Sequence, residues 1–280
     1  EARSQKSQLT AQLTASMQPH PLRTIWAQGN YVVNGWCAIP SSWSAELMAR
    51  AGWDSVTLDL QHGLLDYTHT LPMLQAINLA GAVPMARAPW NEPGIIMKLL
   101  DAGALGIICP MVNSRDECER FVGACRYAPR GYRSFGPTRA RVAYGSDYER
   151  TAADDVLTFA MVETAEALAN VEAIVSVPGL TGVYVGPADL SLSMGRPERS
   201  DPSHPDVVAA LDVILAACQK HGVIAGIHCA STDYALQMVA KGFRLVTISS
   251  DGNLLAAAAS AAVKALRGGR ASERQSGGIY

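Results

Sequence analysis

Short runs rich in β-branched residues recur along the chain, and between them lie longer stretches in which apolar residues return every three or four positions. The short runs cover 32–39, 55–60, 83–88, 106–111, 158–163, 182–187, 223–228 and 245–250. The stretches between them include SAELMARAG, IIMKLLDAGA, SRDECERFVGACRYA, ALANVEAIVSV, VVAALDVILAACQKHG and YALQMVAKG. Each sets an apolar stripe against a polar face, which is the period of an amphipathic helix. Several end in glycine (Gly52, Gly103, Gly222, Gly242), as helix C-termini often do. Strict alternation of strand and helix predicts a parallel sheet, because parallel strands need crossover connections. Eight such units favour an α/β fold of the closed (β/α)8 TIM-barrel type, with an open doubly wound sheet as the alternative. Residues 1–30 read as an N-terminal helical extension, 31–267 as the barrel, and the polar, Gly-rich 268–280 as a flexible tail.

Composition narrows the classes of function. The 280 residues suit one barrel, and 49% apolar against 17% charged residues is enough for a large core. A formal net charge of −2 gives no broad basic face for nucleic acid. No apolar run approaches the roughly 18 residues of a membrane span, and EARSQKSQLTAQLTASMQ lacks the apolar stretch of a secretory signal. The cysteines (Cys37, Cys109, Cys118, Cys125, Cys218, Cys229) are scattered, show no C-x-x-C, and mostly sit in apolar runs. A reducing cytoplasm is the expected setting.

Barrel enzymes gather their chemistry where strands end and βα loops begin. Polar residues at those ends include Asp59, Gln61 and His62 after the second run, Arg87 on the third, Glu163 on the fifth, Asp189 after the sixth and His228 on the seventh. Glu163 and Asp189, on adjacent strands, suit a hard dication such as Mg²⁺, Mn²⁺ or Co²⁺ that keeps several waters. The alternative is that both carboxylates cap the helices that follow. Asp59 and His62 can form a general-base pair or a polar turn. Arg87 ends an apolar strand and needs an anionic partner. Asp101 is a candidate for that partner, for a second orienter of His62, or for a solvated helix position. The five lysines (Lys6, Lys98, Lys220, Lys241, Lys264) all fall away from strand ends. A Schiff-base aldolase has no lysine to use here, so carbonyl chemistry points to a metal electrophile.

The strings DLQHGLLDY, RAPWNEP, KLLDAGALGIICPMV, MVETAEALANVEAIVSVPGLTGVYVGPADLSLSMG and DPSHPDV occur in order between about residues 33 and 265. Together they resemble the HpcH/HpaI aldolase family of class II, divalent-metal-dependent pyruvate aldolases. The resemblance implies reversible cleavage of a 4-hydroxy-2-oxoacid to pyruvate and an aldehyde, with the metal stabilising an enolate. It implies Glu163 and Asp189 as metal ligands, His62 as the base, and Asp59 and Asp101 as the acids that orient it. Arg87 would contact the pyruvate carbonyl oxygen, and the backbone of Gly186, Pro187 and Ala188 its carboxylate. Gln61 stands where many relatives have Glu, and Met161 where several have Gln. Both departures bear on the second reactant, whose identity stays open.

Two related activities share this chemistry: oxaloacetate decarboxylation and cleavage of citryl- or malyl-CoA esters. The arginine-rich first strand typical of the latter is not present in VVNGWCAI. A non-catalytic barrel is the alternative outside enzymes. Seven arginines between 115 and 141 (Arg115, Arg120, Arg126, Arg130, Arg133, Arg139, Arg141) read as solvated helix charges, with one or two drawing in acidic substrates. Trp36, Trp90 and Leu64 are candidates for shaping the second pocket. The alanine-rich LLAAAASAAVKAL can pack closely on another subunit or on the barrel's own flank. The resemblance implies a homo-oligomer, specifically a hexamer built by exchanging a terminal helix.

Overall fold

The expected alternation is realised in the computed structural model, which describes residues 20–197 and 199–267. Of the extension at 1–30, residues 1–19 lie outside the described residues, as does the tail at 268–280. The strands are β1 (Val32–Cys37), β2 (Ser55–Asp59), β3 (Val83–Arg87), β4 (Gly106–Cys109), β5 (Leu157–Val162), β6 (Gly182–Val185), β7 (Ile224–Cys229) and β8 (Leu245–Ile248). They pair in parallel in chain order, and β8 returns to β1 with Leu245 opposite Val32, closing the barrel. The open-sheet alternative is thereby excluded.

Before the barrel comes α1 (Pro21–Ala27). Around it run α2 (Ser42–Arg50), α3 (Tyr67–Ala80), α4 (Pro93–Asp101), α5 (Arg115–Ala124), α6 (Thr138–Tyr144), α7 (Tyr148–Asp155), α8 (Ala165–Ala169), α9 (Val171–Val175), α10 (Pro187–Ser193), α11 (Pro205–His221), α12 (Thr232–Lys241) and α13 (Asp251–Leu266). Local chemistry sets many of these starts. Ser41, Asp66, Ser114, Thr164, Ser231 and Ser250 each cap a helix by accepting a backbone N–H two or three residues on.

Several strands stop earlier than the apolar runs predict. The fourth and sixth runs extend into Pro110 and Pro187, which have no N–H for the ladder, and Pro187 opens α10 instead. Met111 (φ 55°) and Ser249 (φ 60°) turn the chain out of the extended region after β4 and β8. ALANVEAIVSV, read as one helix, divides at Asn170 into α8 and α9. The Asn170 side chain donates to the Asn113 carbonyl, which ties this break to the loop after β4.

Two apolar layers result. The outer one lies between strands and helices and holds residues such as Val56, Leu58, Ile107, Val162, Val183 and Ile227. The inner one fills the barrel with Val32, Val83, Met85, Phe159 and Leu245. Its N-terminal end is closed by Leu22 of α1, with Ile25 and Trp26 beside it, and Trp26 Nε1 donates to the Arg244 carbonyl at 2.8 Å. Full burial of one such large side chain is worth roughly 1.5–3 kcal/mol, so the plug is a substantial part of the barrel floor. Only the opposite end remains for chemistry.

Candidate active site

Side chains alternate along a strand, so every second residue faces the barrel axis. On β2 and β3 this phase carries apolar or hydroxyl residues low in the barrel and ends in Asp59 and Arg87, which lie opposite each other in the register. On β5 the phase runs Leu157, Phe159, Met161 and reaches Glu163 just past the strand. On β6 it runs Gly182, Tyr184 and reaches Gly186. The fold therefore collects polar groups at the C-terminal mouth from strands far apart in sequence.

Arg87 and Asp59 form a two-pronged ion pair, Nε to Oδ1 at 2.9 Å and Nη2 to Oδ2 at 2.7 Å, with Asp59 3% and Arg87 9% exposed. Asp59 also accepts Trp36 Nε1 at 3.2 Å and the backbone N–H groups of Gln61 (3.1 Å) and His62 (3.2 Å). Burial works to raise its pKa, but the Arg87 hydrogen bonds and charge, with help from the His62 N–H and Trp36, bring it below the ordinary value. Gly63 makes this turn passable: a Cβ there would sit 2.3 Å from the Asp59 carbonyl oxygen and 3.1 Å from Ala38 Cα.

The partner expected for Arg87 thus needs correcting. It is Asp59, whereas Asp101 pairs with Arg133 at 2.6 Å. Asp101 sits at the end of α4, where the buried Arg133 guanidinium reaches it. What Asp59 holds of His62 is the backbone N–H; the His62 side chain is exposed on the loop after β2.

Glu163 is 1% exposed, and its Oε1 accepts the Met111 N–H at 2.7 Å. A Cβ on Gly186 would lie 2.6 Å from Oε2, so glycine is what lets β6 approach this carboxylate. Burial and then the charge of Asp189 raise the Glu163 pKa to about 7, against opposing contributions from the Met111 N–H and Arg87. The helix-cap alternative fails on geometry. Thr164 caps α8, and α10 begins at Gly186 without a side-chain cap, leaving the exposed Asp189 in its first turn.

A divalent cation fits this donor set. The charge of Asp189 raises the proton affinity of Glu163, which is buried against a glycine cradle, and a shared dication relieves that repulsion. Among the described residues no group of three or more His, Cys, Asp and Glu is gathered to enclose a metal. The pair therefore suits a hard ion with open positions for water and substrate oxygens rather than a closed zinc cage.

Beside Arg87 lies an aromatic group that spacing alone did not assemble. The Arg87 guanidinium carbon is 4.9 Å from the Trp36 ring centre. Tyr184 stacks on Trp36 with ring centres 5.8 Å apart, and His228 meets Trp36 in a T-shaped contact with centres 5.2 Å apart. Tyr184 Oη is 3.1 Å from His228 Nδ1. Burial, and then Arg87, lower the His228 pKa to about 4. Counting every second residue back from Gly186 would have found Tyr184. Of the other pocket candidates, Trp90 and Leu64 are exposed.

Among the described lysines, Lys98 lies over the Tyr67 ring, Lys220 pairs with Glu172 and Lys241 with Asp212, while Lys264 is on α13; none is at a strand end. The arginine cluster needs a correction too. Arg126 and Arg133 are buried, Arg126 donating to the Gly179 carbonyl, and Arg139 donates to the Ala102 carbonyl. Arg115, Arg130 and Arg141 pair with Glu119, Asp154 and Glu149 at the surface.

Comparison with known proteins identifies the family. The family model described as HpcH/HpaI aldolase/citrate lyase matches residues 36–258. A hydroxypyruvate/pyruvate aldolase of Rhizorhabdus wittichii is 44% identical over 238 residues, 85% of this chain and 95% of that protein. A 4-hydroxy-2-oxo-heptane-1,7-dioate aldolase of Escherichia coli is 37% identical over 229 residues, 81% of this chain and 87% of its own. The crystal structure of a family member from Burkholderia cenocepacia superposes with a TM-score of 0.80 at 33% identity, covering 85% of this chain and 95% of that one. A matching barrel, a carboxylate pair at its mouth and a family match over most of the barrel lead to one assignment: this chain belongs to the HpcH/HpaI aldolase/citrate lyase family.

Proposed function

We propose that this chain is a divalent-metal-dependent carbon–carbon lyase that reversibly cleaves a 4-hydroxy-2-oxoacid into pyruvate and an aldehyde. The observation that carries the reading is Glu163, buried against Gly186, coupled to Asp189 and facing the charge of Arg87. Glu163 and Asp189 would hold Mg²⁺, Mn²⁺ or Co²⁺, and the bound ion would supply Lewis-acid stabilisation of negative charge on the 2-oxo oxygen. Arg87, fixed by Asp59, adds positive charge toward the same oxygen without having to reorganise. The backbone of Gly186, Pro187 and Ala188 receives the 2-oxoacid carboxylate. His62 takes the proton from the 4-hydroxyl in cleavage, directly or through a water, and returns it in addition. Asp59 keeps the His62 turn in place through the backbone; an orienting role for Asp101, whose carboxylate is paired with Arg133, rests on the family resemblance alone.

The chain acts on small molecules, and the assembly is proposed as a homo-oligomer, with the hexamer that the family resemblance implies. What supports an assembly is α13, exposed along its length from Leu254, with Leu255 63% and Leu266 90% accessible. No helix among the described residues is long and apolar enough to cross a membrane. Six free, buried cysteines fit a reducing cytoplasm.

The test is pyruvate release from a 4-hydroxy-2-oxoacid, measured before and after chelation and in Glu163→Gln and Asp189→Asn, with oxaloacetate in parallel. The expectation is loss of turnover on chelation and in both variants, with recovery of the wild type alone when cation is restored. Full cleavage by chelated wild type would remove the metal, and release from oxaloacetate alone would make the chain a decarboxylase.

A further inference from the structure

A chain of polar side chains crosses the otherwise apolar interior of the barrel. Ser55 Oγ and Thr57 Oγ1, on β2, donate to Asn34 Oδ1 at 2.8 and 3.0 Å. This fixes the orientation of the Asn34 amide, whose Nδ2 donates to Thr247 Oγ1 on β8 at 2.9 Å. Asn34, Ser55, Thr57 and Thr247 are fully buried. Thr247 in turn lies beside the Tyr184 hydroxyl and acts against the strong rise in its pKa caused by burial. Tyr184 Oη then meets His228 Nδ1 at 3.1 Å.

The 3.1 Å contact between Tyr184 and His228 admits either sense of donation, and the needs of the neighbouring groups favour one of them. A buried tyrosine keeps its proton and needs an acceptor for it, and the nearest is Nδ1. An imidazole that accepts at Nδ1 and stays neutral must carry its proton on Nε2. His228 has been kept neutral by burial and by Arg87, so this tautomer holds at physiological pH. Its ring is half-buried at the C-terminal end of β7, nearly perpendicular to Trp36, which in turn carries the Arg87 guanidinium. The outcome is an oriented neutral N–H, one aromatic ring away from the arginine proposed to hold the oxoacid.

We propose that His228 Nε2–H is a specificity-determining donor for the second reactant, binding an oxygen substituent of the aldehyde and favouring hydroxylated aldehydes over unfunctionalised ones. The proposal rests on the aldolase reading. Tyr184, held from below by Thr247 and Asn34, is the positioning residue that sets the tautomer. A site built around a fixed hydrogen-bond donor discriminates against an analogue lacking the matching oxygen, because the donor is then left unpaired.

The experiment compares pyruvate addition to glycolaldehyde and to propionaldehyde, which match in size and differ in a hydroxyl against a methyl. Wild type is expected to prefer glycolaldehyde in kcat/KM. In His228→Phe, which keeps a flat ring against Trp36, that preference should fall by about two- to tenfold, the worth of one neutral hydrogen bond, with the change mainly in KM. His228→Gln, which restores an N–H, should recover part of the preference. Tyr184→Phe should weaken it while leaving His228 in place. An unchanged glycolaldehyde-to-propionaldehyde ratio in His228→Phe and Tyr184→Phe overturns the assignment, whatever happens to the absolute rates. Failure of wild type to add pyruvate to either aldehyde would instead remove the aldolase reading, and this proposal with it.

Discussion

Arg87 and Asp59 show how a single pair serves both stability and chemistry. Their two-pronged contact is nearly out of solvent, so removing one partner strands the other. Arg87→Ala is therefore expected to lower stability by about 3–5 kcal/mol as well as slowing turnover by roughly 10²–10³, the usual effect of losing a donor to a developing oxyanion. Combining Asp59→Ala with Arg87→Ala should destabilise less than the sum of the singles, which a double-mutant cycle by urea unfolding would read. Strict additivity would show that the pair does not act as a unit. At Glu163 the competition is with protons. A carboxyl with its pKa raised to about 7 is mostly protonated below that pH, and a cation must displace the proton. Cation affinity measured by calorimetry on metal-free protein should thus rise about tenfold per pH unit below 7 and level off above it. A flat profile between pH 5 and 7 would contradict the role given to Glu163.

At the scale of elements, the first and last helices behave in opposite ways. The short α1 is drawn under the barrel by Leu22 and Trp26, and it begins with a side-chain cap from His20, which accepts the Leu22 N–H at 3.2 Å. The longer α13 starts firmly and then leaves the barrel flank. Its first residue, Asp251, is buried and accepts the N–H groups of Ala38 and Ile39 and the Ser44 hydroxyl, which locks the loop after β1 to the end of β8. Beyond Asn253 the helix is exposed, while Trp43 and Leu47 of α2 are also uncovered. Truncation after Asn253 keeps the Asp251 lock and removes the exposed apolar length. The truncated protein should sediment as a smaller species than the full chain; the same mass for both would take α13 out of the assembly.

Across the whole molecule, two histidines held neutral set the acid limit. His20 and His228 both have their pKa lowered to about 4, chiefly by burial and then by Arg23 and Arg87 respectively. Between pH 6.5 and about 4 the unfolded chain binds these protons and the folded chain does not. Stability is therefore fully present above pH 6.5 and lost progressively as the pH falls through that window, by about 3 kcal/mol at most for each group. His20→Asn retains a capping acceptor and cannot titrate there, so its unfolding free energy should fall less steeply over the same range. Parallel acid profiles for wild type and variant, by chemical denaturation at each pH, would rule out this contribution.

The sequence by itself determined the number of strands and their parallel order, because strand–helix alternation is a local pattern; eightfold repetition favoured a closed barrel, and the pairing of β8 with β1 decided it. It also determined which ends of strands carry polar groups, since period-two alternation and the lysine-free mouth are visible in one dimension. The strand endings before Pro110 and Pro187 were missed, because the apolar runs continue past them and periodicity does not register a proline's missing N–H. Partnership was not legible either. Arg87 lies closer along the chain to Asp101 than to Asp59, yet the β2–β3 register puts Asp59 opposite it, and Asp101 meets Arg133 from another loop. The pairing of Glu163 with Gly186, and the line from Asn34 through Tyr184 to His228, join strands separated by tens to hundreds of residues. Only closure of the barrel makes them neighbours, and burial there gives Glu163 and His228 pKa values that no local sequence feature encodes.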